Sequence, residues 1–236
     1  MIEHSPADRQ HAQIGVLIPA FNCAATIADV VAGARGHVET VVVVDDGSVD
    51  GTPKVAAAAG ATVVSHPRNR GKGAALQTGM RWLAERRFAR VLTMDGDGQH
   101  LADEIPQLLA ASDADPRALI VGARQFDPSG VAPIRLFGNR FANRWVEIAC
   151  GEALPDTQSG FRVYPLRETL ALRLRARHFG FETEALIRAA RAHVAIRSVP
   201  VRVYYPPVTE HVSHFRPFLD TVRIIFIVLG LIFRVW

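Results

Sequence analysis

Two aspartates separated by one glycine form the pattern in this sequence with the clearest chemical meaning. Asp95 and Asp97 follow the mostly apolar run 90–94, which is typical of a buried strand. Carboxylates this close together can bind one divalent cation, and hard ions such as Mg²⁺ or Mn²⁺ prefer oxygen ligands. A plain acidic turn is the alternative interpretation. A calcium-binding EF-hand loop is excluded, because His100 stands where it needs glycine and Pro106 where it needs glutamate.

A second acidic pair, Asp45 and Asp46, follows the apolar run 40–44. Ligands of open α/β sheets collect at the carboxyl ends of the strands, where carboxylates can accept hydrogen bonds from a ribose or a nucleobase. The alternative is an ordinary Asp/Ser turn that precedes a helix. The two residues by themselves favour that alternative.

Residues 68–73 resemble a phosphate-binding loop in composition but not in spacing. The Walker pattern requires glycine where His66 stands and Ser or Thr where Gly73 stands. The chain also has no G-x-G-x-x-G pattern, which disfavours a nicotinamide enzyme. Lys72 and the amides at the start of the following helix could still lie near phosphates.

Alternating strands and helices must position these loops. Apolar runs predict strands or extended segments at 14–18, 40–44, 62–65, 90–94, 118–121, 161–164 and 195–204. Helical patterns fall at 26–34, 53–59, 74–85, 103–111, 134–149, 166–175 and 182–192. Asn22 is predicted to cap the first helix and Thr52 the second. This alternation predicts an α/β fold with a largely parallel sheet.

The whole-chain composition indicates one globular domain with a tail. The chain has 236 residues, of which 49% are hydrophobic and 21% charged, enough for one sizeable core. Its net charge is +4, but no basic run is interleaved with aromatic residues, so nucleic-acid binding is not expected. Cys23 and Cys150 lack metal or disulfide spacing, which suits a reducing compartment. Residues 1–13 are polar, and no secretory signal peptide is predicted there.

The C-terminal segment 222–236 is apolar apart from Arg223 and Arg234. As a helix it would reach about 22 Å, against a hydrocarbon core of about 30 Å, so a full crossing is not comfortable. We expect a hydrophobic helix that embeds in or docks on a membrane, where Arg216, Arg223 and Arg234 meet anionic headgroups. A terminal helix packed on the core is the alternative.

Several stretches, taken in order, resemble the family 2 glycosyltransferases of the GT-A fold. They are Pro19 to Asn22, Asp45 to Ser48 with Asp50 and Thr52, Asn69 to Gly73, and Asp95 to His100. Within that family the chain is similar to polyprenyl-phosphate sugar synthases such as dolichol-phosphate mannose synthase, through residues 122–124, 138–140 and 156–162. The resemblance implies a Rossmann-like catalytic domain at 14–205, after a variable N-terminus (1–13) and before a membrane-associating tail (206–236).

The resemblance also implies roles for individual residues. The nucleoside would be held by Pro19, Ala20, Asn22, Asp45 and Asp46. Asp95 and Asp97 would bind Mg²⁺ or Mn²⁺ at the donor diphosphate, with Gly96, Gln99 and Lys72 alongside. Arg124 and Arg140 would clamp an acceptor phosphate, for which planar guanidinium groups are suited. Asp156 would be the general base if the acceptor is a hydroxyl; the alternative is that Asp156 only caps its loop.

The expected activity is metal-dependent, inverting transfer of a hexose from a UDP- or GDP-sugar to a lipid-linked acceptor at the cytoplasmic face of a membrane. Polyprenyl phosphate is the first candidate acceptor. The alternatives are a hydroxyl of a lipid or aryl-polyene-like molecule, or a non-catalytic membrane adaptor that binds nucleotide-sugars. Residues 209–216 stand where the synthases are expected to have a basic residue and a Gly-x-Ser-Lys-like element, and Asn22 stands where many relatives carry an acidic residue. The base, the sugar and the oligomeric state stay open.

Overall fold

The computed structural model describes residues 14–125, 146–149, 151, 154–178, 180–204 and 230. The strands in this part of the chain are β1 (Ile14–Ala20), β2 (Val41–Asp45), β3 (Thr62–Ser65), β4 (Arg90–Thr93), β5 (Leu119–Arg124), β6 (Arg162–Pro165) and β7 (Ile196–Val201). The helices are α1 (Ile27–Arg35), α2 (Thr52–Ala58), α3 (Lys72–Glu85), α4 (Ile105–Ala114), α5 (Leu166–Ala171) and α6 (Phe181–Arg191).

The strands form one sheet in the order β3-β2-β1-β4-β6-β5-β7. β1 pairs in parallel with both β2 and β4, β2 with β3, and β5 with β7. Only β6 among these strands runs antiparallel, between β4 and β5. The mostly parallel α/β sheet predicted from the sequence is therefore confirmed, and six strands present their carboxyl ends at one edge.

Two hydrophobic clusters, one on each face of the sheet, bury the central strands. In β1, Leu17 belongs to one cluster, while Val16 and Ile18 belong to the other. The first cluster includes residues of α3, α5 and α6, and the second includes residues of α1, α2 and α4. Burial on both faces explains why these strands read as continuous apolar runs rather than as alternating patterns.

Both predicted helix caps are wrong. Asn22 does not cap α1: its backbone φ is 49°, and its Oδ1 accepts a hydrogen bond from the amide of Val49 at 2.9 Å. Thr52 lies inside α2, after Gly51, and its hydroxyl donates to Asp50 at 2.6 Å. Both side chains instead form hydrogen bonds with loop residues, and helix periodicity does not reveal such bonds.

Several predicted boundaries also differ. β1 includes the two residues after Ile18, and α3 begins at Lys72 rather than at residue 74. The helix predicted from residue 103 begins as a 3₁₀ turn at Ala102–Glu104 before α4. α5 ends at Ala171 rather than at 175, because the following residues form an irregular segment held by Glu184, which accepts from the amides of Arg175 and Ala176.

Some predictions fall on residues outside the described part of the chain. Arg140 is among them, as is most of the helix predicted at 134–149, of which residues 146–149 are helical. The apolar C-terminal segment is described only at residue 230. Within the described ranges, every helix is too short or too polar to cross a bilayer. The membrane-associating tail stays a prediction.

Candidate active site

The two acidic pairs lie at the same edge of the sheet. Ala20, at the end of β1, is in register with Asp45 at the end of β2, and Leu17 is in register with Thr93 at the end of β4. The chain leaves β4 directly into the acidic loop, residues 95–100. The predicted nucleoside-binding and metal-binding residues therefore surround the carboxyl ends of adjacent parallel strands, where ligands of such sheets bind.

The acidic loop is folded around His100. The amide of Asp95 donates to His100 Nδ1 at 3.0 Å, and the buried imidazole stacks on Phe161 with ring centroids 4.8 Å apart. Because a backbone amide can only donate, Nδ1 of His100 is the acceptor in this contact, and burial lowers the pKa of the ring. His100 thus closes the turn that brings the two aspartates together, a role that spacing in the sequence did not suggest.

Contacts from two other segments, and one within the loop itself, fix the remainder of the acidic loop. The hydroxyl of Thr26 donates to the carbonyl of Gly96 at 2.6 Å, and the amide of Gln99 donates to Asp97 Oδ1 at 3.0 Å. The amide of Tyr204 donates to the carbonyl of Gln99 at 2.9 Å, so the chain after β7 lies along the loop. The carboxylates are consequently displayed by a braced backbone.

Charge around the two aspartates is unevenly balanced. Burial would raise the pKa of Asp95, but the ammonium of Lys72, 2.6 Å away, lowers it below its ordinary value. Burial and the neighbouring charge of Asp95 raise the pKa of Asp97. Burial alone would lower the pKa of Lys72, but Asp95 and Glu182 raise it above its usual range. A crowded pair of carboxylates of this kind favours the arrival of positive charge.

These residues fit a divalent cation that is shared with a substrate. In the described ranges, no cluster of three or more His, Cys, Asp or Glu side chains could enclose a metal ion. Mg²⁺ commonly takes only one or two carboxylates from the protein and completes its shell with substrate phosphates and water. Asp95 and Asp97 match that ligand set. A bound cation would offset the repulsion between the two carboxylates, which is one cause of the raised pKa of Asp97.

Asp46 differs from the aspartates of the acidic loop. Its buried carboxylate accepts hydrogen bonds from His66 Nδ1 at 2.6 Å, the amide of Arg70 at 2.9 Å and the amide of Gly71 at 2.7 Å. The loop from His66 to Gly71 is therefore fastened to the end of β2 and leads into α3. Asp46 has a clear architectural function here, and its predicted contact with a nucleoside stays a prediction.

The other predicted nucleoside-binding residues face the same edge. Pro19 is half-buried and Ala20 is buried, with its carbonyl accepting from the amide of Asp46 at 2.8 Å. The amide of Asn22 donates to the hydroxyl of Ser48 at 2.9 Å, and Asp45 Oδ1 accepts from the amide of Ser48 at 3.1 Å. These bonds join the loops after β1 and β2 into one surface beside the acidic loop.

The two predicted acceptor-side residues that the structure describes form an ion pair. Arg124 donates from Nε to Asp156 Oδ2 at 2.6 Å and from Nη2 to Oδ1 at 3.1 Å, a bidentate arrangement. Asp156 is 3% exposed. Burial would raise the pKa of Asp156, but the hydrogen bonds and charge of Arg124 lower it below its ordinary value. The third predicted residue of this group, Arg140, lies outside the described ranges.

Glu182 was not identified from the sequence as a residue of the site, and neither was the structural role of Arg162. Glu182, in the first turn of α6, places Oε1 2.8 Å from Lys72 Nζ. Arg162 is fully buried and donates to the carbonyls of Thr157, Ser159 and Glu182 at 2.7 to 2.8 Å. It joins the loop before β6 to the start of α6. Glu182 reads in the sequence as an ordinary acidic residue of a helix first turn, so no spacing pointed to it.

Solved structures and known relatives place the chain in a class. It superposes on glucosyl-3-phosphoglycerate synthase from Mycobacterium tuberculosis, crystallised with Mn²⁺, UDP and phosphoglyceric acid, with a TM-score of 0.73 at 23% identity, covering 97% of this chain and 84% of that one. This likeness shows the fold, which is the GT-A fold predicted from the sequence. Residues 15–174 match the family model described as Glycosyl transferase family 2. The chain belongs to that family and is a glycosyltransferase.

Among its relatives, Glycosyltransferase AglJ of Haloferax volcanii is 33% identical over 198 residues, covering 81% of this chain and 62% of that protein. The undecaprenyl-phosphate mannosyltransferase of Micrococcus luteus is 30% identical over 177 residues, covering 68% of this chain and 70% of that protein. A UDP-N-acetylglucosamine–dolichyl-phosphate N-acetylglucosaminyltransferase of Methanococcus voltae is 28% identical, covering 81% and 86%. The predicted family is confirmed.

Proposed function

We propose that this protein transfers a hexose from a UDP- or GDP-sugar to polyprenyl phosphate, with inversion at the anomeric carbon. The observation that carries the proposal is the pair Asp95 and Asp97, displayed at the carboxyl edge of the sheet, where burial and the neighbouring charge of Asp95 raise the pKa of Asp97. The names of relatives from Micrococcus luteus and Methanococcus voltae support a polyprenyl-phosphate acceptor.

On the donor side, Asp95 and Asp97 would hold Mg²⁺ or Mn²⁺ against the diphosphate. Such an ion, when bound, stabilises the negative charge that develops on the departing nucleoside diphosphate. Pro19, Ala20, Asn22, Asp45 and Asp46, at and after the adjoining ends of β1 and β2, would form the nucleoside site. Gly96 and Gln99 would lie beside the diphosphate, as would the ammonium of Lys72.

On the acceptor side, a phosphate oxygen attacks the anomeric carbon while the bond from that carbon to the diphosphate oxygen breaks. Arg124 and Arg140 would orient the acceptor phosphate. A phosphate oxygen is already anionic at neutral pH and needs no base. A hydroxyl acceptor would need one, and a general base works best with a pKa near the working pH. The ion pair with Arg124 and the lowered pKa of Asp156 disfavour that role for Asp156.

The test of this proposal is incubation of the purified protein with UDP- and GDP-sugars, Mn²⁺ and a membrane lipid extract, followed by mass identification of the product. A lipid that carries a hexosyl phosphate is expected. A glycosylated hydroxyl would replace the acceptor with the alternative one. Absence of any transfer, together with retained nucleotide-sugar binding, would favour a non-catalytic adaptor. Asp156→Asn adds a second check, because a phosphate acceptor should tolerate it far better than a hydroxyl.

For location, we propose that residues 206–236 hold the catalytic domain, residues 14–205, at the cytoplasmic face of a membrane without crossing it. The apolar run 222–236 and its flanking arginines support this placement. Deletion of residues 218–236 is expected to move the protein from the membrane pellet to the supernatant after cell fractionation. Pelleting that persists without these residues would contradict the anchor.

A further inference from the structure

A positive charge of the chain itself already lies on the predicted metal ligand. Lys72, the first residue of α3, places Nζ 2.6 Å from Asp95 Oδ1 and 2.8 Å from Glu182 Oε1. The side chain of Lys72 is 16% exposed, and those of Asp95 and Glu182 are 28% and 5% exposed. A divalent ion that binds Asp95 through this oxygen must displace the ammonium.

The site is shaped to hold this contact. A Cβ atom added at Gly160 would lie 2.8 Å from Lys72 Nζ and 3.0 Å from each carboxylate oxygen of Asp95. The carbonyl of Gly160 is fixed by a hydrogen bond from the hydroxyl of Thr93 at 2.8 Å. The ammonium and the carboxylate therefore fill the space that any side chain at position 160 would need.

Glu182 has capacity that this arrangement leaves unused. Oε1 is 2.8 Å from Lys72 Nζ, whereas Oε2 accepts no hydrogen bond from the residues that the structure describes. Arg162 is close, but it donates to the backbone carbonyl of Glu182. A buried carboxylate with unfilled acceptor positions is unfavourable, and it is stabilised if a donor moves fully onto it.

The charge balance points the same way. When ionised, Lys72, Asp95, Asp97 and Glu182 together carry one positive and three negative charges. A divalent cation makes this group neutral, but only if the ammonium stays within it. Glu182 is the group that can keep it there once Asp95 is taken.

We propose that Lys72 is an internal cation that guards Asp95 before the metal binds, and that Glu182 is the positioning residue that receives it. When the metal occupies Asp95, the ammonium shifts onto Glu182 and stays inside the site, where it faces the donor diphosphate. The metal and the nucleotide then bind cooperatively, because metal binding releases the ammonium of Lys72 from Asp95. The released ammonium can then face the diphosphate of the nucleotide. This inference rests on the metal site of the proposed function.

The experiment compares Mn²⁺ binding to full-length variants without nucleotide, measured from the electron paramagnetic resonance signal of free Mn²⁺. The double variant K72M/E182Q removes one charge of each sign, so the site keeps its net charge but loses the guarding ammonium. It is expected to bind Mn²⁺ about tenfold more tightly than the wild type, the effect of losing one partly buried ion pair as a competitor. It should also bind UDP or GDP more weakly in the presence of Mn²⁺.

Glu182→Asp is the second variant, which keeps the charge but shortens the side chain by one methylene. If Glu182 acts through contact with Lys72, Mn²⁺ should bind about threefold or more weakly, because the displaced ammonium lacks a partner within reach. If Glu182 contributes only its charge, this variant binds Mn²⁺ as the wild type does, and the receiving role is refuted. Circular dichroism and thermal unfolding establish that each variant is folded.

Equal Mn²⁺ affinity of the wild type and K72M/E182Q would overturn the proposal, because the contact of Lys72 with Asp95 would then be a permanent ion pair. The proposed function would survive that result, provided that Asp97→Ala still removes Mn²⁺ binding. If the wild type binds no Mn²⁺, with or without UDP or GDP, the metal site of the proposed function itself is wrong.

Discussion

Two acidic pairs lie at or just after the ends of β2 and β4, the strands on either side of β1, at one edge of the sheet, yet the protein uses their carboxylates differently. Asp46 is 3% exposed and accepts hydrogen bonds from one imidazole and two backbone amides. Asp95 is paired with the ammonium of Lys72, which lies at the end of a flexible side chain, and the pKa of Asp97 is raised. The first carboxylate is saturated by fixed donors of its own chain, whereas Asp95 in the second pair is held by a cation that can exchange.

This difference shows which carboxylates of a site can change partners. Backbone amides cannot leave Asp46 without unfolding the loop from His66 to Gly71. An ammonium on a flexible side chain can leave Asp95 when a stronger cation arrives. A carboxylate of the first kind holds the structure, and one of the second kind can exchange ligands during a reaction.

The largest expected effect belongs to Asp97→Ala. Because this change removes half of the carboxylate pair, sugar transfer should fall by about a thousandfold or more, as when a principal electrostatic stabiliser of a transition state is lost. Steady-state transfer assays and Mn²⁺-dependent binding of UDP or GDP measure the loss. The fold should persist, since Asp97 is only half-buried. Unchanged turnover would remove Asp97 from the site.

Asp46→Ala should act on stability first. It leaves the imidazole of His66 and the amides of Arg70 and Gly71 without their acceptor, which should cost about 3 kcal/mol of unfolding free energy. Urea unfolding measures this cost. Glu39→Ala is the control, because Glu39 is an exposed carboxylate two residues before the same strand. If both variants lose equally little, the brace at Asp46 is refuted. Weaker UDP or GDP binding by the folded Asp46→Ala protein would establish its predicted nucleoside contact as well.

The contrast between these aspartates also shows how much of the fold could be predicted from the sequence. Buried strands that end in Asp45 and in the acidic loop were readable, because apolar runs and strand–helix alternation report the sheet directly. β6 was predicted as a strand, but its antiparallel place between β4 and β5 was not, since pairing partners are set by tertiary packing. The helical pattern of α5 continues in the sequence past the observed end of the helix at Ala171, because that end is also set by tertiary contacts.

Within the site, residue types were readable and their partners were not. Asp46 and Asp95 look alike in the sequence, and only the fold brings His66 to one and Lys72 to the other. Glu182 lies 110 positions from Lys72, so no local pattern could join them. Contacts between residues this far apart in the sequence decide which carboxylates already have a partner.

Asp156→Asn examines a second saturated carboxylate, the partner of Arg124. The lowered pKa of Asp156 means that its ion pair stabilises the fold above the ordinary carboxyl pKa of about 3.9, and that this contribution is lost as the pH falls through the lower folded value. At pH 7 the variant should therefore be about 2 kcal/mol less stable than the wild type. In urea unfolding, this difference should shrink below about pH 4.

Asp115→Asn is the control for that measurement, because the contact of Asp115 with Arg197, at 3.5 Å, is exposed and its loss should change stability little at either pH. A destabilisation by Asp156→Asn that is the same at pH 7 and in acid would show that its cause is packing rather than the charge of Asp156.

The smallest expected effect is that of Thr26→Val, which keeps the shape of the side chain but removes its hydrogen bond to the carbonyl of Gly96. Stability should fall by about 1 kcal/mol, the net value of one hydrogen bond. Mn²⁺ affinity should fall severalfold, because the acidic loop is less firmly held. Titration of Mn²⁺ into both proteins measures this. A loss of stability with unchanged Mn²⁺ affinity would show that metal binding does not need the hydrogen bond from Thr26.

The metal site is tested most directly by anomalous diffraction from a crystal grown with Mn²⁺ and UDP or GDP. A manganese peak is predicted in direct contact with the carboxylates of Asp95 and Asp97 and with the diphosphate, with Lys72 Nζ moved from Asp95 onto Glu182. A manganese ion bound elsewhere, with Lys72 still paired to Asp95, would contradict it.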